Sequence, residues 1–225
     1  MKMENKFEFK FHAKPDYAMA TITIPANTTL RVEASAMASM DTNVNMKTKM
    51  KGGLGRIFTG ESLFINEFTA ENAKGEIQVS PSAPGDLFHV YLNNESMYLQ
   101  SSAFVASAME VEIDTKWQGL KGFFSGEGLF LAKCSGTGDL WFNSYGGIIE
   151  IDVKDSYIVD TGHIVAFSDS LQYRVTKFGN YKSLFLSGEG LVCEFSGEGK
   201  IWIQTRKVMP FSRWTWPFRP TKNNS

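Results

Sequence analysis

The groups that could carry chemistry are few and widely spaced. The chain has 225 residues, with three histidines, two cysteines and 20 glycines. The glycines raise the first possibility. Gly136-Thr137-Gly138, inside "GEGLFLAKCSGTGDLWF" at 126–142, matches the start of a dinucleotide-binding fingerprint. That fingerprint places a pyrophosphate at a helix N-terminus and needs a third glycine. Here the third glycine is missing, and Leu140-Trp141-Phe142 follows as a strand-like run. No GxxxxGK[ST] occurs, so a P-loop is excluded. These glycines are therefore expected to mark tight turns, where positive φ is free of steric cost.

Metal chemistry would need clustered imidazoles with a carboxylate. His12, His89 and His163 lie at least 74 positions apart with no HxH pair, so no metal site and no cofactor are expected. GxSxG is absent, Ser125 and Ser187 precede turn glycines, and no catalytic residue is assigned. Cys134 and Cys193 sit in apolar runs and are expected to be buried thiols acting as small hydrophobes. The most conspicuous carboxylates are Glu61, Glu127 and Glu189, each following a glycine in three similar stretches. Grouped around an axis they could converge on a cation or on basic partner groups. Alternatively each begins a strand and meets solvent or a lysine, discouraging edge pairing.

Those three stretches define the elements that must position everything else. They begin at Gly60, Gly126 and Gly188, a spacing of 66 and then 62 residues. Upstream, "TITIPANTTLRVEASAMASM", "FHVYLNNESMYLQSSAFVAS" and "IEIDVKDSYIVDTGHIVAF" also correspond. Val32, Leu99 and Val159 fall at matching places, as do Met37, Phe104 and Ile164. Agreement over some 60 residues predicts three tandem copies of one unit, at about 7–80, 81–143 and 144–205. Period-two alternation runs through Phe7-Glu8-Phe9-Lys10-Phe11, Ile22-Thr23-Ile24 and Leu171-Gln172-Tyr173-Arg174-Val175. Between such runs stand NNES, GTGD, KDS and SGEG, where the chain is expected to reverse. The predicted fold is all-β, barrel-like or sandwich-like, with the three units packed in one body because no Pro-, Gly- or Ser-rich linker separates them.

Composition agrees with a packed core. Hydrophobic residues make up 43% and charged residues 21%, enough apolar surface to offset chain entropy. A net charge of -1 argues against strong nucleic-acid affinity, without excluding a local site. "MKMENKFEFKFHAKPD" lacks the apolar core of a signal peptide and the arginine-rich character of a transit peptide, so a cytoplasmic location is expected. No stretch approaches the roughly 18 to 20 apolar residues of a spanning helix.

Residues 206–225 differ in kind. Arg206, Lys207, Arg213, Arg219 and Lys222 appear with no acid, interleaved with Phe211, Trp214, Trp216 and Phe218. Arg213, Trp214, Trp216, Phe218 and Arg219 are the candidate interaction residues. Such a tail could stack bases, sit at a membrane interface or anchor a protein partner. It could also fold back over the body, kept extended by Pro210, Pro217 and Pro220.

"KGGLGRIFTGESLFINEF", "GEGLFLAKCSGTGDLWF" and "YIVDTGHIVAF", followed by "SGEGLVCEFSGEGKIWIQTR", resemble the altered-inheritance-of-mitochondria family from about Phe7 to Arg206. Bacterial members are known as a domain of unknown function. The resemblance implies a fold akin to the tryptophan RNA-binding attenuation protein, a short double-stranded β-helix triplicated in one chain. It also implies a homotrimer, hence a ring of nine units, and it brings no catalytic residues. Mitochondrial relatives are linked to inner-membrane organisation, and for this chain no transit peptide of their kind is expected. The expected function is that of a non-enzymatic assembly or scaffold protein with an unidentified protein partner. The alternative is a module binding RNA, a nucleotide or a small ligand through loops between the copies or through the tail.

Overall fold

The structure is a computed structural model that describes residues 7–50, 64–114, 131–177 and 191–219. Strands dominate it because the apolar residues alternate. In β2 (Met19–Ile24) the side chains of Ala20, Ile22 and Ile24 are buried and those between them are half-buried. In β3 (Thr29–Glu33) Leu30 and Val32 do the same. Each fully buried Ile or Leu contributes about 1.5–3 kcal/mol through removal from water.

Within residues 7–79 the ladders are nested. β2 pairs with β7 (Gly75–Val79), and β3 pairs with β6 (Phe64–Ala70). The short β4 (Met37–Met40) adds to β7, while β5 (Val44–Met50) adds to β6. An N-terminal strand, β1 (Glu8–His12), covers the other edge of β2.

The middle stretch has the same nesting with fewer breaks. β8 (Leu87–Gln100) and β11 (Leu131–Asn143) pair along their whole length, β9 (Phe104–Ala108) adds to the second half of β11, and β10 (Val111–Asp114) adds to the first half. NNES and GTGD are thus not reversals, contrary to the sequence expectation. They meet at a bulge between Gly136 and Thr137, where Asn94 has φ 55° and its backbone N–H donates to Thr137 Oγ1 at 3.0 Å. Gly136 is required by close approach: a Cβ there would lie 2.2 Å from the Glu110 carbonyl oxygen, and its φ is +129°. One extra residue on one strand bends the pair without ending it.

In the last stretch the pair is split again. β12 (Ile148–Val153) pairs with β17 (Gly199–Gln204), and β13 (Ser156–Asp160) pairs with β16 (Leu191–Ser196). β14 (Ile164–Ser168) adds to β17, and β15 (Gln172–Lys177) adds to β16.

Two joints connect these stretches into larger sheets. β9 pairs with β3, setting Val32 opposite Ala106, and β14 pairs with β8, setting Leu99 opposite Ala166. Arg31 Nη1 donates to the Val111 carbonyl at 2.9 Å across the first joint, and the Tyr98 and Phe167 rings lie 5.0 Å apart at the second. The result is a ten-stranded sheet flanked by a four-stranded sheet, β1-β2-β7-β4, and a three-stranded sheet, β13-β16-β15. One core cluster gathers around Trp141, Phe68, Phe104 and Phe142, and a second around Phe167 and Phe195.

Candidate functional site

Three surfaces emerge from this arrangement. The first is a groove of about 830 Å³ where β14, being short, leaves β8 and β17 apart. Phe88, Tyr91, Glu95, Glu150, Asp169 and Trp202 are among the residues lining it. Lys200, Glu150 and Asp169 of this lining are held in ion pairs. Lys200 binds Glu150 and also reaches Asp152 at 3.4 Å, and Trp202 Nε1 donates to Glu150 at 3.0 Å. Lys133 holds Asp169 at 2.9 Å. Against the opposing pull of burial, hydrogen bonds from Tyr98 and Lys133 keep the Asp169 carboxyl below its ordinary value.

His89, also in the groove wall, contacts the buried Asp139 at 2.8 Å through Nε2. Sequence reasoning missed this pair. The signal lay in the register, since His89 stands opposite Trp141 and Asp139 opposite Tyr91 on the paired strands. The imidazole packs 4.3 Å from the Phe9 ring and 4.9 Å from the Trp141 ring, centroid to centroid. His12 meets Thr21 Oγ1 at 2.9 Å, and His163 Nδ1 meets the Gln204 carbonyl at 2.6 Å. The three imidazoles therefore have separate partners. Among the described residues no group of three or more His, Cys, Asp or Glu could hold a metal ion. Cys134 and Cys193 are free and buried, as expected, and burial pushes both thiols up to about 12.

The second surface is the pair of outer edges on β4 and β13. Among the described residues neither edge has a strand beside it, although β9 and β14, which add to their own stretches as β4 does, are covered by β3 and β8. Burial follows the pairing. β9 is buried at every residue, whereas Ala38, Ser39 and Met40 of β4 are exposed, and Ile158 of β13 is 55% exposed.

The third surface is the tail. Extended structure was expected on account of its prolines, but Val208–Thr215 forms a helix, α1, and Trp216–Phe218 a 3-10 turn. Pro210 stands in the first turn of α1, where its missing N–H has no intrahelical acceptor to lose. No residue of α1 is buried. Phe211 lies 5.7 Å from Tyr145 of the body, and a row of rings continues from Phe211 to Trp214 at 5.9 Å and from Trp214 to Phe218 at 5.6 Å. Arg219 stacks 3.2 Å above the Trp216 ring. Trp214 is thus brought to Phe218 and Arg219 to Trp216, and these four stand exposed together with Arg213 on the same short segment. Glu61, Glu127 and Glu189 lie outside the described residues, so their convergence has no structural account.

A family model described as mitochondrial biogenesis AIM24 matches residues 9–206. The chain belongs to the AIM24 family. A bacterial relative, an uncharacterized protein of Streptococcus pyogenes serotype M6, is 26% identical over 236 residues, covering 99% of this chain and 95% of its own length. The crystal structure of a protein from Streptococcus pyogenes superposes with a TM-score of 0.79 at 24% identity, over 95% of this chain and 100% of the other. The family match thus runs up to the tail, and α1 begins just beyond the matched residues. No described helix is long and apolar enough to cross a membrane.

Proposed function

We propose that this AIM24 protein is a non-enzymatic scaffold built from three copies of one β unit, and that copies of the chain close head to tail into a ring. The observation that carries the reading is the pair of open edges. At each internal joint, the short strand of one unit lies against the second strand of the preceding unit. By the same rule β4 of one chain lies against β13 of another. The register follows from the two joints. Val159, matching Val32 and Leu99, stands opposite Ser39, and Ile158 stands opposite Met40. Such a contact is heterologous, so it closes into a ring when its rotation allows.

Exposed Tyr157, Ile158 and Met40 support this reading, because β edges without charge or proline invite pairing. The paired charges of the groove support it too, leaving Lys200 committed to carboxylates and not to a phosphate ligand. The core surroundings of His89 favour a structural role over acid–base catalysis. The test joins Met40→Cys and Ile158→Cys in one chain and measures mass by light scattering before and after mild oxidation. The expected result is a closed oligomer, covalently linked between copies, since buried Cys134 and Cys193 do not react. A monomer with no intermolecular cross-link would sink the ring.

A further inference from the structure

No residue of α1 or of the turn that follows it is buried. Six large apolar side chains are gathered there and face solvent. Val208 and Met209 are each 57% exposed, Trp214 65% and Phe218 74%, with Phe211 and Trp216 also open. In a chain of net charge -1, residues 206–219 contain four basic residues and no acid. The segment is held at its root, where the Arg206 N–H donates to the Tyr145 carbonyl at 3.3 Å and Lys207 Nζ meets Asp160 at 3.1 Å. Beyond that root, Arg213 and Arg219 stand exposed, Arg219 against the Trp216 ring.

We infer that α1 and the following turn form a docking surface for anionic lipid headgroups. The occupant follows from the chemistry. Aromatic rings with polar edges settle at the boundary between headgroups and acyl chains, and an amphipathic helix lying in that plane buries its apolar side to a depth of about 5–10 Å. Exposed aliphatic Val208 and Met209 on the same helix suit hydrocarbon, whereas stacking of nucleic-acid bases would draw on the rings alone. The cations supply the second attraction, toward a negatively charged leaflet. A short helix with a few cations binds reversibly, so the contact depends on salt. The inference does not depend on ring closure, since the surface is complete in one chain.

The test is co-sedimentation of the full chain with vesicles of equal parts phosphatidylglycerol and phosphatidylcholine, beside pure phosphatidylcholine. Binding to the anionic vesicles at low salt is expected, weakened by added salt. Arg213→Gln with Arg219→Gln should reduce it roughly thirtyfold, from about 1 kcal/mol per basic residue. Trp214→Ser, Trp216→Ser and Phe218→Ser together should abolish it, with unchanged thermal unfolding because none of the three is buried. Failure of the parent chain to sediment would overturn the inference, as would equal binding by the triple variant. So would vesicle binding indifferent to lipid charge, RNA binding with no vesicle binding, or a triple variant whose oligomer dissociates while the parent ignores vesicles.

Discussion

β9 and β4 make the same connection within their own stretches, yet β9 is buried along its length and β4 is open to water. Each adds to the strand that ends its stretch, β11 or β7, through a ladder with one irregularity. The difference lies in the neighbour. β3 covers β9, and no described strand covers β4. The same contrast separates β8, which carries β14, from β13. Burial at these positions is therefore a property of succession along the chain, and residue type follows it loosely: Met37 and Met40 are as apolar as a joint would require.

The comparison breaks most visibly at its centre. Ala106, fully buried at the first joint, has no room or partner for a carboxylate. Ala106→Glu should cost about 4 kcal/mol or more, lowering Tm by roughly 10 °C or preventing folding, as read by thermal unfolding. Ser39→Glu, at the matching position of the open edge, should change the unfolding free energy of the separate chain by about 0.5 kcal/mol or less. It should nonetheless raise the mass-action midpoint of self-association. Ile158→Arg, on the opposite edge, should weaken association by roughly thirtyfold or more, measured by sedimentation across a concentration series, with Tm of the monomer unchanged.

Glu33, at the end of β3 beside the first joint, sharpens the contrast through pH. Burial pushes its carboxyl from 4.5 up to about 7. The folded state then binds the proton more tightly than the unfolded one. The stabilisation is fully present below pH 4.5 and is lost as pH rises toward 7. Glu33→Gln should flatten that dependence, removing roughly 2–3 kcal/mol of loss between those limits, as read from urea midpoints. The smallest effect belongs to the exposed pair of Arg174 and Glu194 at 2.7 Å, where Arg174→Ala should leave Tm unchanged within error.

Much of the fold was legible because it is written in alternation. Ile22-Thr23-Ile24 and Leu30-Arg31-Val32 each bury their apolar residues and turn the others outward, as a period of two demands. The chain reversals were less legible. Pro25 to Thr28 does separate two strands, but NNES and GTGD, also rich in turn-forming residues, form a bulge, since Gly136 serves the close approach of Glu110. Turn composition reports tolerance for unusual φ, and a bulge needs that tolerance as much as a reversal does.

The His89–Asp139 contact joins residues 50 apart in sequence and became visible once the register of β8 against β11 was fixed. The joints were hidden for a similar reason, because β3·β9 and β8·β14 connect stretches that the alternation pattern treats separately. In the tail, composition set residues 206–225 apart from the body, and the aromatic and basic residues from Phe211 to Arg219 stand exposed. The prolines misled about its shape, because Pro210 occupies a first turn that tolerates it.

The uninterrupted pairing of β8 with β11 has one more consequence. β14 hangs on the second half of β8 and β9 on the second half of β11, so both joints are supported by a single long ladder. The C-terminal stretch cannot part from the middle without stripping β14 from β8, and the N-terminal stretch cannot part without uncovering β9, which is buried at every residue. Unfolding is then one cooperative event and not three, and the amides of Leu99 and Trp141 exchange with deuterium at the rate set by global opening.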